Sequence, residues 1–186
     1  MSESPRPRRD NTVLVVVDLQ ERLLPVMRER ERLVARVGLA IDGARALGIP
    51  ILATEQNPRG LGPTDPDLAR RLEAPPLAKS TFSCFGAPGF AEALRDREAE
   101  VIALCGIESH ICVQATALDA LDRGYGVLLL EDAMSTRLGS TGPAGIARMR
   151  QEGARSSSAE GFLFEMMAGA DDAAFRSILA LVREVS

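Results

Sequence analysis

The chain predicts an α/β fold, a three-layer αβα sandwich around a mostly parallel sheet of about six strands. Three observations carry this. Short continuous runs of β-branched and apolar residues recur along the sequence, each followed by polar residues, which is the pattern of strands covered on both faces. Stretches with helical spacing of apolar residues fill the gaps between them, so strands and helices alternate. At 186 residues, 46% hydrophobic and 26% charged, the chain has the composition of one globular domain built on one core.

The first strand is predicted over residues 13–17, a VLVVV run that ends at the charged Asp18. A helix follows over about 28–47, where Leu33, Val34, Val37, Ile41, Ala44 and Leu47 recur at spacings of three and four, and Gly48 stops it. The second strand is read over 49–54, and Leu77-Ala78-Lys79-Ser80 as a short strand of its own. Pro88 is placed at a helix N1 position ahead of Phe90, Ala91 and Leu94. A strand over 101–105 leads to a helix through Val113, Ala117, Leu118 and Leu121 that Gly124 ends. A strand over 127–130 follows, and the last helix carries Phe175, Ile178, Leu179 and Val182. Residues 1–11, with the Pro5-Arg6-Pro7-Arg8-Arg9 cluster, read as a flexible, solvated N-terminal tail, and 12–186 as the domain.

Charge and composition narrow the function. With 26 acidic against 22 basic residues the formal net charge is -4, and no basic stripe crosses the folded region, so small molecules rather than nucleic acids are the expected partners. No apolar run approaches the roughly 20 residues that span a bilayer, and no secretory leader pattern opens the chain. The expectation is a cytoplasmic protein without a membrane partner. Three cysteines, Cys84, Cys105 and Cys112, fit neither a disulfide framework nor a paired zinc motif. No Gly-x-Gly-x-x-Gly follows the first strand, so no nucleotide cofactor is expected.

In open parallel sheets ligands sit beyond the carboxyl ends of the strands. Three residues with chemistry to offer stand there: Asp18 after the first strand, Lys79 on the short strand, and Cys112 just beyond the fourth apolar run. A thiol becomes a strong nucleophile as its thiolate, and the positive end of a helix dipole together with a nearby Lys79 favours that form. Asp18 is placed to take the thiol proton and return it to a leaving group. Position alone leaves Cys112 open between nucleophile and packing residue, because free cysteine is among the most buried residue types. Cys105, inside its strand, reads as structural, and Cys84 as a loop or pocket-wall residue.

The segment Gly106-Ile107-Glu108-Ser109-His110-Ile111-Cys112-Val113 resembles the nucleophile segment of the isochorismatase-like, or cysteine hydrolase, family. The resemblance continues through Gln114-Ala115-Thr116-Ala117-Leu118-Asp119, Arg123-Gly124-Tyr125 and Asp132-Ala133-Met134-Ser135-Thr136-Arg137, and includes Val17-Asp18-Leu19-Gln20 and Lys79-Ser80-Thr81-Phe82-Ser83. It implies the family's Rossmann-like hydrolase fold and an Asp18-Lys79-Cys112 triad with Asp as base, Lys stabilising charge and Cys forming a covalent acyl-enzyme. It also implies a cis peptide between Ile107 and Glu108, an oxyanion site made by the backbone N–H groups of Glu108 and Cys112, and assembly as a homo-oligomer.

The thiol at position 112 sets the chain apart from true isochorismatases, so the implied reaction is hydrolysis of a small amide, carbamoyl or related carbonyl compound. The metal-binding histidines of nicotinamidase-like members are missing from 54–64, and the sole His110 cannot build a multi-histidine site. No metal and no cofactor are therefore expected, and His110 is read as structural or as pocket rim. The 54–64 stretch looks like that of isochorismatase domain-containing proteins. Gln20, Glu55, Gln56 and Phe82 are candidates for the substrate pocket, with loop hydrogen bonding and ring packing as the competing account. The reading from another class is a non-catalytic binding or scaffold protein that keeps the fold.

Overall fold

The structure is a computed structural model and describes residues 5–185. Six parallel strands form one sheet: β1 (Thr12–Val17), β2 (Ile51–Gln56), β3 (Leu77–Lys79), β4 (Val101–Ile107), β5 (Gly126–Ser135) and β6 (Arg155–Ser157). Their order is β3-β2-β1-β4-β5-β6, with all five neighbouring pairs parallel. The helices are α1 (Arg30–Ala46), α2 (Pro58–Leu61), α3 (Pro66–Ala69), α4 (Phe90–Asp96), α5 (Cys112–Asp122), α6 (Thr141–Gln151), α7 (Ala159–Glu165) and α8 (Phe175–Glu184). This is the predicted α/β sandwich.

Alternation along the strands explains the two helical layers. Leu14 and Val16 of β1, with Ala103 and Cys105 of β4, face the core shared with α1, α7 and α8. Val13, Val15 and Val17, with Ile102 and Leu104, face the opposite core, where Phe90, Leu94, Val113, Ala117 and Met149 pack. Successive side chains of a strand point to opposite faces, so a strand buried on both faces is apolar at every position. The last helix, α8, buries Ile178 and Val182 in the first of these cores.

Several boundaries differ from the sequence reading. The first long helix begins at Arg30, not 28, because Arg28 donates its N–H to the Thr136 carbonyl and Glu29 takes a left-handed conformation. β2 runs two residues further than expected, so Glu55 and Gln56 end the strand rather than follow it, paired to β3 through Ala78 and Lys79. Pro88 is not at N1: Gly89 occupies the N-cap, with Ala93 N–H bonding to its carbonyl. The sixth strand, Arg155–Ser157, is short and polar and carries no apolar run to reveal it. Residues 5–11 are not a solvated tail. Pro7 and Asn11 are buried, and Arg9 bonds the Met166 carbonyl and pairs with Asp172 at 2.6 Å. Residues 1–4 of the expected tail lie outside the described residues.

β1 and β4 are the central neighbours from which the chain winds outward in opposite directions, and a crevice forms at the carboxyl ends of such a pair. β4 carries a register shift between Leu104 and Gly106, and Gly106 sits at φ +115°. A Cβ on Gly106 would lie 2.2 Å from the Val17 carbonyl oxygen, so only glycine lets β4 approach the last residue of β1 there. Among the described residues no helix is long and apolar enough to cross a membrane.

Candidate active site

Asp18 is the residue directly after β1, in a left-handed conformation at φ +55° that aspartate tolerates better than most side chains. Its carboxylate is held at both oxygens: Thr54 donates its hydroxyl to Oδ1 at 2.8 Å, and Lys79 donates Nζ to Oδ2 at 2.7 Å. Both side chains of the ion pair are out of water, at 0% exposure for Lys79 and 1% for Asp18. The Lys79 ammonium also reaches Gln56 Oε1 at 2.8 Å and the carbonyls of Phe82 and Thr81 at 3.1 and 3.3 Å. A charge buried this far persists only with such a complete set of partners.

The Cys112 thiol, at the first residue of α5 and 7% exposed, lies in the fields of Asp18 and Lys79. The sequence expectation was a thiol whose acidity is raised by the helix end and Lys79. The structure reverses it. Burial, reinforced by the Asp18 carboxylate, pushes the thiol up to about 12, and the opposing field of Lys79 does not offset them. Burial and the neighbouring carboxylate thus favour the thiol over the thiolate at Cys112.

Two threonines that sequence reading did not single out complete the arrangement. Thr116, one turn along α5, donates to the Cys112 carbonyl at 2.7 Å and accepts the Cys84 N–H at 3.0 Å. The Cys84 sulfur lies 3.5 Å from the same Thr54 hydroxyl that holds Asp18. A buried chain of contacts thus runs from the backbone of Cys112 through Thr116, Cys84 and Thr54 to Asp18. Cys84 is a wall of this site, its thiol raised to about 11 chiefly by burial. Cys105 stays in the core, fully buried, with its sulfur 3.8 Å from the Val15 carbonyl.

The loop between β4 and α5 forms the other side. The Ile107–Glu108 peptide is cis, and the N–H groups of Glu108 and Cys112 find no acceptor among the described residues. The Glu108 side chain is turned to the β5–α6 connection, where Arg137 donates from its backbone N to Oε2 at 2.8 Å and from Nε to Oε1 at 2.9 Å. Thr136 adds its hydroxyl to Oε2 at 3.1 Å, and His110 Nδ1 lies 3.0 Å from that hydroxyl. His110 also packs beneath α6, where a Cβ on Gly145 would come within 2.7 Å of its Cα. Its surroundings are those of a structural residue.

The four pocket candidates divide. Gln20, fully buried, accepts from Gln56 N–H at 2.8 Å and donates to the Gln56 and Gly62 carbonyls at 3.0 and 2.7 Å, so it splices loops together. Glu55 Oε1 accepts from the N–H and hydroxyl of Thr64 and is likewise a loop brace. Gln56 touches the Lys79 ammonium directly and braces the Ser80 carbonyl at 2.9 Å. Phe82 is 62% exposed, and its own carbonyl accepts from Lys79.

Residues 12–161 match the isochorismatase domain model, a span that contains every residue of this site. The chain belongs to the isochorismatase family. Over 175 residues it is 36% identical to isochorismatase domain-containing protein 2 of Homo sapiens, covering 94% of this chain and 84% of that one. Among solved structures it is similar to the MAR1 ribonuclease of Caenorhabditis elegans, with a TM-score of 0.91, 32% identity, and coverage of 96% of this chain and 93% of that one. The YcaC protein of Pseudomonas aeruginosa, solved with hexane-2,5-diol and covalent acrylamide, shares the fold at a TM-score of 0.88 and 24% identity, over 97% and 95% of the two chains. The chain thus has the isochorismatase-family hydrolase fold.

Proposed function

We propose that the protein is a cysteine-dependent hydrolase of a small amide, carbamoyl or related carbonyl compound, with Asp18, Lys79 and Cys112 as its catalytic residues. One observation carries the reading: Cys112 opens α5 in the field of the Asp18 carboxylate, which a fully buried lysine holds at 2.7 Å. Because the thiol is not ionised at rest, proton loss and attack occur together. Sulfur forms its bond to the carbonyl carbon as the thiol proton passes to Asp18, and the carbonyl π pair moves to oxygen. The N–H groups of Glu108 and Cys112 receive that oxyanion, and such donors contribute about 3–4 kcal/mol each. When the carbonyl re-forms, the C–N bond breaks and Asp18 gives its proton to the departing nitrogen. Water then attacks the thioester, delivers a proton to Asp18, and the released sulfur takes it back. The sum is one amide and one water converted to one acid and one amine, with Lys79 charged throughout.

The covalent acrylamide on the Pseudomonas protein supports a reactive nucleophile in this fold. The second reading comes from the name of the Caenorhabditis relative. In a ribonuclease, Asp18 and Lys79 would act on a 2′-hydroxyl and its phosphate, and Cys112 would be dispensable. Incubation with a panel of small amides, carbamoyl compounds and lactams, followed by intact-mass measurement, tests the proposal. A mass gain on wild type that Cys112→Ala abolishes, with loss of turnover, is expected. Unchanged hydrolysis by Cys112→Ala overturns the nucleophile, and RNA cleavage retained by Cys112→Ala establishes the second reading. Absence of any adduct or turnover across the panel favours a binding or scaffold role.

A further inference from the structure

We infer that the Glu108 carboxylate and Arg137 act together as a clamp that positions the oxyanion-binding N–H groups, making both positioning residues for acyl transfer. This rests on the proposed role of Cys112 as an acyl-forming nucleophile. The loop carrying the two free N–H groups is tied to the end of β5 and its following residues, 26 to 29 positions away, by a concentrated set of hydrogen bonds. Ser109 donates both its N–H and its hydroxyl to the Ser135 carbonyl, each at 2.9 Å. Glu108 accepts three more, from the Thr136 hydroxyl and from the backbone N and Nε of Arg137. Every donor to the carboxylate thus comes from two consecutive residues of the other loop, and the side chain has turned away from the crevice that its own backbone N–H borders. A buried carboxylate fixed at both oxygens fixes the peptide it extends from.

The two jaws are unequal. Glu108 is 9% exposed as a side chain whereas Arg137 is 52% exposed, so the clamp closes from the surface onto a buried group. Donors that stabilise an oxyanion must be aligned before charge develops, and a misplacement of about 1 Å costs on the order of 100-fold in rate. Alkylation at sp³ carbon passes through no oxyanion. A clamp acting through the N–H groups therefore affects one reaction of Cys112 and spares the other.

The test compares two probes of the same thiol on the full-length protein. 4-Nitrophenyl acetate reports acylation by the release of 4-nitrophenolate, the S–C bond forming as the C–O bond breaks. Iodoacetamide reports alkylation with loss of iodide. Glu108→Gln is expected to slow acylation about 10- to 100-fold and Arg137→Met roughly 10-fold, with alkylation within about 2-fold of wild type for both, and with the double variant falling short of the product of the single effects. The Arg137 variant removes a half-exposed side chain and keeps the test open should Glu108→Gln fail to fold. Equal losses in both reactions, or no loss in either, overturn the clamp. Failure of wild type itself to be acylated, while alkylation of Cys112 proceeds, overturns the underlying nucleophile reading instead and the clamp with it.

Discussion

Two charged pairs stand beyond the central strands, one after β1 and one after β4. Asp18 and Lys79 are both sealed from water and joined at 2.7 Å, with the ammonium sharing its protons among four acceptors. Glu108 and Arg137 are joined at 2.9 Å, but half of the arginine side chain lies in solvent. The inner pair has lost its hydration on both sides, so removing one partner strands a charge that nothing else can neutralise. In the outer pair, water can take over what the arginine gives up. Stability is therefore concentrated in the inner pair, while the outer one serves geometry.

The largest effect that separates them is the loss of one inner partner. Lys79→Met is expected to destabilise the fold by about 3–5 kcal/mol in urea denaturation, and Arg137→Met by less than about 1 kcal/mol. Similar costs for the two would end the distinction. Replacing both inner charges, Asp18→Leu with Lys79→Met, should recover much of the loss of the single variant while leaving no turnover, because paired apolar groups need no partner.

Asp18→Asn gives the next test, and its sign is unusual. The carboxylate raises the thiol by its charge, whereas Lys79 lowers it. With the carboxylate gone and the lysine retained, the thiol should ionise at lower pH than its wild-type value of about 12. Iodoacetamide should then label Cys112 faster at pH 7–8 while hydrolysis collapses for want of a base. In wild type the labelling rate should still be climbing at pH 9. A plateau near neutrality would mean a standing thiolate.

Thr54→Val probes the support of the inner pair. It leaves one carboxylate oxygen of Asp18 without its donor, and a buried acceptor orphaned in this way costs about 1–3 kcal/mol. The check is chemical denaturation beside the activity assay, with turnover falling more than the affinity for substrate. The smallest effect is expected at the mouth. Phe82→Ala removes an exposed ring, so stability should not move measurably, and KM should change a few-fold with kcat nearly intact. A large fall in kcat would put the ring in contact with the reacting atoms.

Much of this site was legible before the strands were assembled. Asp18, Lys79 and Cys112 each stand at the end of an apolar run or the start of a helix, which is where a parallel sheet presents its polar residues. The supports were not legible. Thr54 meets Asp18 across 36 residues and Arg137 meets Glu108 across 29, and neither threonine nor arginine departs from its neighbours in any periodic pattern. Glu55 and Gln20 looked like pocket residues because they are polar and near strand ends, yet their side chains are committed to loops. Arg9 looked solvated like its exposed neighbours Arg6 and Arg8 because Asp172, which receives it, is 163 positions away.

By itself the sequence determined the alternation of strands and helices, because a strand buried on both faces must be apolar at every position and that requirement is written locally. It also determined the family, and it pointed to the three residues of the proposed triad, since the blocks that carry them are contiguous in the chain. Only the tertiary structure set the balance of influences on the thiol. The helix end that opens at Cys112 favours ionisation, but burial beside a carboxylate opposes it, and which prevails depends on distances and dehydration that exist only once β1 and β4 lie side by side.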